Sequence, residues 1–584
     1  MNELWRFESW RLVCLGVALV ASLASQLGCG KSPSPVPEPS LPPPWFEDVT
    51  EQAGLDFVHD AGPLSEANFF MPQIVGSGAA LFDFDGDGLL DIYLLNNGGP
   101  NGRCNRLFKQ LPGGTFKDVS AGSGLDIAGY NMGVAIGDVN NDGYPDVLVT
   151  QYKGIKLLLN NGNGTFTDVT REAGLDNPFW ATSAAFLDYN RDGWLDLVVA
   201  NYVDYDRSWP CADLAGAPDY CPPNQFAGTV TKLFRNKGVE IAGRKAGAAG
   251  LPHFEDVTLS SGLGRVPGPG LGVACADFDG DGWPDILVAN DGAPNRLWIN
   301  QKNGTFVDEA VVRGLAVNAL GQPQANMGVA LGDVYGEGVF DVFITHLTEE
   351  TNTLWRQRPR GLFRDGTAAA GLASARRHAT GWGAVLADFD HDGGLDLALV
   401  NGRVARARTT AATAETHWPR YAEPNQLFAN DGKGHFEDIS LSNKAFCGTP
   451  AVCRALAVGD IDGDGALDLL VTTVAGPAKL YRNVAPGRGH WLLVRAVDPA
   501  LKRDAYGAEI RVRAGDRQWL RAVNPGQGYL CSHDPRAHFG LGSAPRVDAI
   551  EVVWPDGKGE VFAGGPADQI VTVLKGKGQK LGNH

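Results

Sequence analysis

A nine-residue pattern, D-x-[DN]-x-D-G-x-x-D, recurs along this chain and constrains its fold more than any other feature. It first appears as "DFDGDGLLD" at 83–91 and returns at 138–146, 188–196, 277–285, 388–396 and 460–468. A degenerate copy at 333–341 carries Tyr335 and Glu337 at the third and fifth positions. Successive copies start 55, 50, 89, 56, 55 and 72 residues apart, and the two long intervals hold insertions at about 203–228 with 237–251, and at 403–424. A period of this size marks an array such as a propeller, in which one supersecondary unit is repeated and stacked. Within a period the chain reads as four short strands, for example "MGVAIGD", "DVLVT", "KLLLNN" and "GTFTDVT", separated by Gly- and Asn-rich turns. Runs such as "DILVAN" are apolar throughout, as in strands buried on both faces. Four strands in each of seven units predict an all-β, seven-bladed β-propeller over 45–487.

The same pattern carries chemistry. Carboxylates this close repel one another unless a cation sits among them. Side-chain oxygens at positions 1, 3, 5 and 9, a backbone carbonyl at 7 and Gly at 6 suit a hard cation with six to eight oxygen ligands, Ca²⁺ rather than Mg²⁺. Six sites are predicted on this basis. They comprise Asp83, Asp85, Asp87 and Asp91 with Leu89; Asp138, Asn140, Asp142 and Asp146 with Tyr144; and Asp188, Asn190, Asp192 and Asp196 with Trp194. The other three comprise Asp277, Asp279, Asp281 and Asp285 with Trp283; Asp388, Asp390, Asp392 and Asp396 with Gly394; and Asp460, Asp462, Asp464 and Asp468 with Ala466. Position 12 falls inside a strand, so these are not EF-hands. The seven loops hold 25 acidic side chains, and six Ca²⁺ ions would reduce the formal charge from −17 to −5. That charge argues against nucleic acid as a partner.

The N-terminus reads as an export signal. Leu12–Leu27 is a 16-residue apolar run followed by Gly28-Cys29, short for a membrane span and suited to a secretory signal. Residues 1–29 are expected to be a signal of lipoprotein type, with Cys29 lipidated; cleavage after Ala24 with plain secretion, and an uncleaved anchor, are the alternatives. The Pro-rich 30–44 would then be an extended tether. The expected location is the cell surface or outer membrane, with membrane contact through the lipid alone, or otherwise the extracellular medium. Export makes disulfides plausible, and Cys211/Cys221 and Cys447/Cys453 are candidate pairs within loop-like segments.

The loops, with their "GVAIGD"-type leading strands, resemble FG-GAP (VCBS) repeats of the integrin α-subunit propeller. Elements such as "FEDVTEQAGL" and "FTDVTREAGL" are similar to those of the cartilage acidic protein family and its bacterial relatives. The resemblance implies Ca²⁺ at the six matching loops. From about 488 the texture changes, and "YGAEIRVRAG", "GYLCSHDPRAHFGLG" and "VVWPDG" resemble the ASPIC/UnbV domain, expected as a small β-sandwich-like unit over 488–575 with a tail at 576–584. Cys531 stands where that domain usually has Ser.

No H-E-x-x-H, G-x-S-x-G, P-loop or C-x-x-C is present. His533 and His538 of "HDPRAH" read as part of a turn before the "FGLG" strand, and Trp180, Trp194, Trp283 and Trp382 as packing between blades. The reading is an exported, calcium-binding module for adhesion to, or scaffolding of, an extracellular protein or glycan. The alternative is a polysaccharide lyase or hydrolase using channel-facing His, Arg and Tyr. Finally, seven "F-x-D" strands occur, and the first, at Phe46, precedes any loop. Because the seventh loop lacks a following copy, Phe46–Thr50 is expected to complete the seventh blade and remove its open edge.

Overall fold

The computed structural model describes residues 41–64, 69–213, 216–240, 250–374, 378–406 and 417–581. The signal, Cys29, most of the Pro-rich tether and parts of both insertions lie outside the described residues. No described helix is long and apolar enough to cross a membrane.

Six blades are antiparallel meanders of consecutive strands. Blade 1 comprises Ala79–Phe82, Asp91–Leu94, Arg106–Leu111 and Thr115–Asp118; blade 2 comprises Asn131–Gly137, Asp146–Gln151, Gly154–Asn160 and Phe166–Asp168. Blade 3 runs from Ala181–Leu187 to Leu251–Asp256, blade 4 from Gly270–Ala276 to Phe306–Asp308, blade 5 from Val329–Gly332 to Phe363–Asp365, and blade 6 from Gly381–Ala387 to Phe436–Asp438. Blade 7 takes three strands, Cys453–Gly459, Asp468–Thr473 and Lys479–Asn483, from the end of the array. Its fourth is Phe46–Asp48, paired antiparallel as Phe46↔Asn483, Glu47↔Arg482 and Asp48↔Tyr481. The expected closure is therefore present. The first strands of the blades pack side by side in chain order, and blade 7 returns to blade 1, so seven sheets form a closed ring.

The innermost and second strands are buried along their length, which accounts for their continuous apolar sequence. Crowding at the axis also explains the "MGV" elements: a Cβ on Gly328 would lie 1.9 Å from the carbonyl oxygen of Trp382 in the next blade. Each third strand carries an Asn or Gln, at its end in five blades, whose amide donates to the carbonyl of the second loop residue in the preceding blade. Asn160 reaches Phe84 at 2.8 Å, Asn300 reaches Tyr189 at 2.9 Å, and Gln110 reaches Ile461 at 2.7 Å, carrying the series across the junction of blades 1 and 7.

The C-terminal region is two facing sheets. One contains His490–Asp498, Arg503–Asp504, Ala537–Gly542 and Gln569–Leu574; the other contains Glu509–Ala514, Arg517–Ala522, Ala549–Val553, Gly559–Ala563 and Gln579–Lys580. Their core (Leu492, Val512, Phe539, Trp554) is continuous with residues of blades 2 and 3. From Pro43 onward the chain is one compact unit.

The "turn" around His533 proves to be a plug in the central channel. Cys531 and Ser532 pair parallel with Ala79 and Ala80 of blade 1. Gly528 exchanges backbone hydrogen bonds with Val273 of blade 4, the Leu530 N–H donates to Ser183 Oγ of blade 3, and the Val458 N–H of blade 7 donates to His533 Nδ1. From the other side, the short helix Pro72–Val75 descends until Val75 O accepts the Tyr529 hydroxyl at 2.9 Å. Over that mouth the two insertions meet, with the Tyr421 hydroxyl on Asp219 at 2.7 Å and Tyr220 against His417 at 3.1 Å.

Arg454, fully buried, ties these parts together. Its guanidinium donates to the carbonyls of Ile74, Gly402, Cys453 and Arg403 and stacks on Trp382, 4.0 Å from the ring centroid. Burial lowers its pKa to about 10, so it remains charged at neutral pH. Arg454→Ala should strand several carbonyls and cost at least about 3 kcal/mol, read as a fall in the denaturation midpoint; a loss under about 1 kcal/mol, within the range of an ordinary surface change, would refute this role.

One pairing is corrected. Cys211–Cys221 is a disulfide, but Cys447 and Cys453 are not bonded to each other. Cys447 closes the short helix Lys444–Cys447, whereas Cys453 starts the innermost strand of blade 7 with its thiol directed toward Asn425. Both are buried in their own elements.

Candidate metal centres on the loop face

Each acidic loop joins the first and second strands of a blade, so all seven lie on one face of the ring. The first carboxylate folds the loop: Asp83 accepts N–H groups from Gly86, Asp87 and Gly88 at 2.8, 3.1 and 2.9 Å. The ninth is buried and bridges strands, Asp91 accepting from Phe84 at 3.1 Å and Gln110 at 2.8 Å. Asp146, Asp196, Asp285, Asp341, Asp396 and Asp468 repeat the second arrangement. The fifth carboxylate accepts the N–H of position 7 in all six regular loops, fixing Leu89, Tyr144, Trp194, Trp283, Gly394 and Ala466 beside it.

Three carboxylates converge, with ligand oxygens within 4.8 Å of one another, at Asp83/Asp85/Asp91, Asp277/Asp279/Asp285, Asp388/Asp390/Asp396 and Asp460/Asp462/Asp464. Loops 2 and 3 place Asn140 and Asn190 at the third position, supplying an amide in place of the third charge. Burial raises the carboxyl of Asp91 to about 7 and that of Asp388 to about 8, helped in each case by neighbouring carboxylates. Asp85 Oδ1 and Asp388 Oδ1 are buried without a hydrogen-bond partner. Unpartnered anionic oxygen among like charges fits a hard divalent cation, which would hold these groups ionised.

Loop 5 is closed differently. Glu337 pairs with Arg356 and Arg358, both at 2.6 Å, and the Arg356 guanidinium lies 4.1 Å from the Tyr335 ring centroid. Guanidinium and aromatic side chains thus organise the segment whose third-position carboxylate is missing.

The C-terminal sheets sit on this loop face and grip its main chain. Arg503 donates to Gly193 O at 3.2 Å and Asn141 Oδ1 at 2.9 Å, Arg517 to Asp392 O at 2.8 Å, Trp519 to Gly393 O at 3.1 Å, Arg536 to Asp460 O at 3.2 Å and His538 to Gly465 O at 2.9 Å. Sequence reasoning found the loops but none of these contacts. Trp180 and Trp382 are buried near the axis, Trp283 lies under Arg191 at 4.1 Å, and Trp194 packs at Gly238.

Comparison with known proteins agrees with this architecture. An FG-GAP-like repeat matches at 83–149, 138–199, 277–344 and 416–471, and an ASPIC and UnbV domain matches at 498–580. The chain thus carries FG-GAP-like repeats followed by an ASPIC and UnbV domain. Among curated proteins it is similar to cartilage acidic protein 1: 29% identical to the Mus musculus protein over 52% of this chain and 54% of that one, and 28% identical to the Homo sapiens protein over 56% and 47%. The chain thus spans about half the length of the curated relatives it matches. Solved structures overlap more loosely. An Agrocybe aegerita protein studied for recognition of non-reducing terminal N-acetylglucosamine superposes at a TM-score of 0.35, with 15% identity over 62% of this chain and 80% of that one. YCF48 bound to D1 peptide gives 0.38, with 9% identity over 73% and 98%.

Proposed function

We propose that this protein is an exported, calcium-stabilised binding module that presents a rigid ring to an extracellular protein or glycan and has no chemistry of its own. The observation that carries this reading is the filled channel. In a catalytic propeller, titratable side chains would be expected to converge on an accessible axial cavity; here Tyr529, Cys531, His533 and Arg454 occupy the axis, buried and engaged with backbone groups. The Cys211–Cys221 bond supports export, since disulfides persist in oxidising compartments. The convergent loop carboxylates support calcium as the stabilising ion.

The test is to probe glycan and protein arrays with the full chain in calcium and in chelator. Retention of one ligand class that weakens in chelator is the expected result. No retention, together with turnover of an extracellular polymer, would overturn the proposal in favour of an enzyme.

A further inference from the structure

Blade 5 departs from its six siblings in charge as well as in its loop. At the pair joining the middle residues of the third and fourth strands, blade 3 sets Arg235 opposite Glu255 and blade 7 sets Arg482 opposite Glu47. Blade 1 sets Lys109 opposite Lys117, but Lys109 is engaged by Asp85 and Asp87 of its own loop. Blade 5 sets Arg356 directly opposite Arg364. Like charges at this spacing are destabilising, and the loop carboxylate Glu337 is already shared between Arg356 and Arg358. Arg364 is exposed and makes no ion pair among the described residues.

This surplus opens onto a groove. Two cavities of about 520 Å³ each share Tyr335 and Gly432 as a common wall, one beside Arg364 and Lys433 and the other running under the C-terminal sheet to Arg517. Together they are lined by six guanidinium or ammonium groups against three carboxylates, in a chain with 50 basic and 67 acidic residues. Two of these carboxylates, Asp333 and Asp365, are tied to backbone N–H groups. Arg356 is laid on Tyr335 and Arg517 on Trp519, 4.8 Å from its centroid. Aromatic support limits the freedom of a guanidinium; the Arg356 fork is taken by Glu337 and Arg517 Nη2 by Asp392 O, which leaves Arg364 and Lys433 at the outer end to meet a carboxylate or sulfate. Arg521 Nη2 at the inner end is buried with no hydrogen-bond partner among the described residues. Between the charged ends the wall is largely glycine, which leaves room for sugar rings near the backbone.

We infer that this groove binds an acidic polysaccharide through its sulfate or carboxylate groups. Charges spaced along a flexible neutral chain match cations at the two ends of a Gly-walled trough. The inference rests on the binding-module reading and gives it a ligand class and a place.

The test measures binding of the full chain to dextran sulfate, polygalacturonate, neutral dextran and poly-glutamate. Arg364→Glu/Lys433→Glu is compared with Lys117→Glu/Arg171→Glu, an equal charge change on exposed side chains of blades 1 and 2. At least one acidic polysaccharide should bind and neutral dextran should not, and the blade 5 variant should weaken binding about tenfold or more while the control stays within about twofold. Whether the sulfated or the carboxylated polymer binds identifies the recognised group. Equal loss in both variants, tighter binding of poly-glutamate, or no binding of either acidic polymer overturns the groove assignment. The broader reading fails separately, when the arrays retain nothing.

Discussion

In excess chelator the protein should lose about 4–11 kcal/mol of stability, as much as a whole domain ordinarily has. Extracellular calcium modules bind with Kd of about 10⁻⁴–10⁻³ M, so about 2 mM ion contributes roughly 0.6–1.8 kcal/mol at each of six sites. The pH dependence sharpens the test. Burial and neighbouring carboxylates raise Asp91 and Asp138 to about 7 and Asp388 to about 8. A carboxyl whose pKa is higher folded than unfolded makes the native state bind more protons, so without cation stability falls as pH rises from about 4 through about 8. In chelator the protein should therefore melt higher at pH 5.5 than at pH 8, and saturating calcium should remove or reverse that order. Asp281→Ala should empty one site and leave the other five loaded. An unchanged melt in chelator would sink the structural role, and loss of several ions from Asp281→Ala would show that the sites are coupled.

The architecture was legible because repetition displays it. Seven copies of one loop gave the blade count, and the "F-x-D" strand without a preceding loop gave the closure of the ring. What stayed hidden depends on partners far away in sequence. The "GYLCSHDPR" segment has a turn's composition, yet Cys531 pairs with Ala79, a long-range contact that no local period announces. Arg454 sits in "VCRALAVGD", a strand like its siblings, and the four carbonyls it serves come from three different segments. The proximity of Cys447 and Cys453 in sequence suggested a bond, but the helix end and strand start that separate them decide against it. One signal was visible and unused: the Asn or Gln carried by every third strand, which clamps each blade to the loop before it.

Deleting residues 45–55 should destabilise a blade more than 400 positions away in sequence. Phe46 is 1% exposed and lies edge-on to Phe389 with ring centroids 5.2 Å apart, and Val49, Ala53 and Leu55 are buried with it. Losing these side chains removes roughly 5–9 kcal/mol of apolar burial, at about 1.5–3 for each large side chain. The backbone loses as well. Val49 N–H donates to Leu480 O, Val484 N–H donates to Trp45 O, and Lys479 pairs with Asp48 at 2.8 Å. With Phe46–Asp48 gone, Lys479–Asn483 becomes an open edge whose unpaired groups invite association. Hydrogen exchange should therefore accelerate across 468–483 and the variant should self-associate, whereas Phe116→Ala in blade 1 should cost about 3–5 kcal/mol without exposing a new edge. Unchanged protection at 468–483 in the deletion would mean that blade 7 stands on its three consecutive strands, and that the N-terminal strand decorates the ring without closing it.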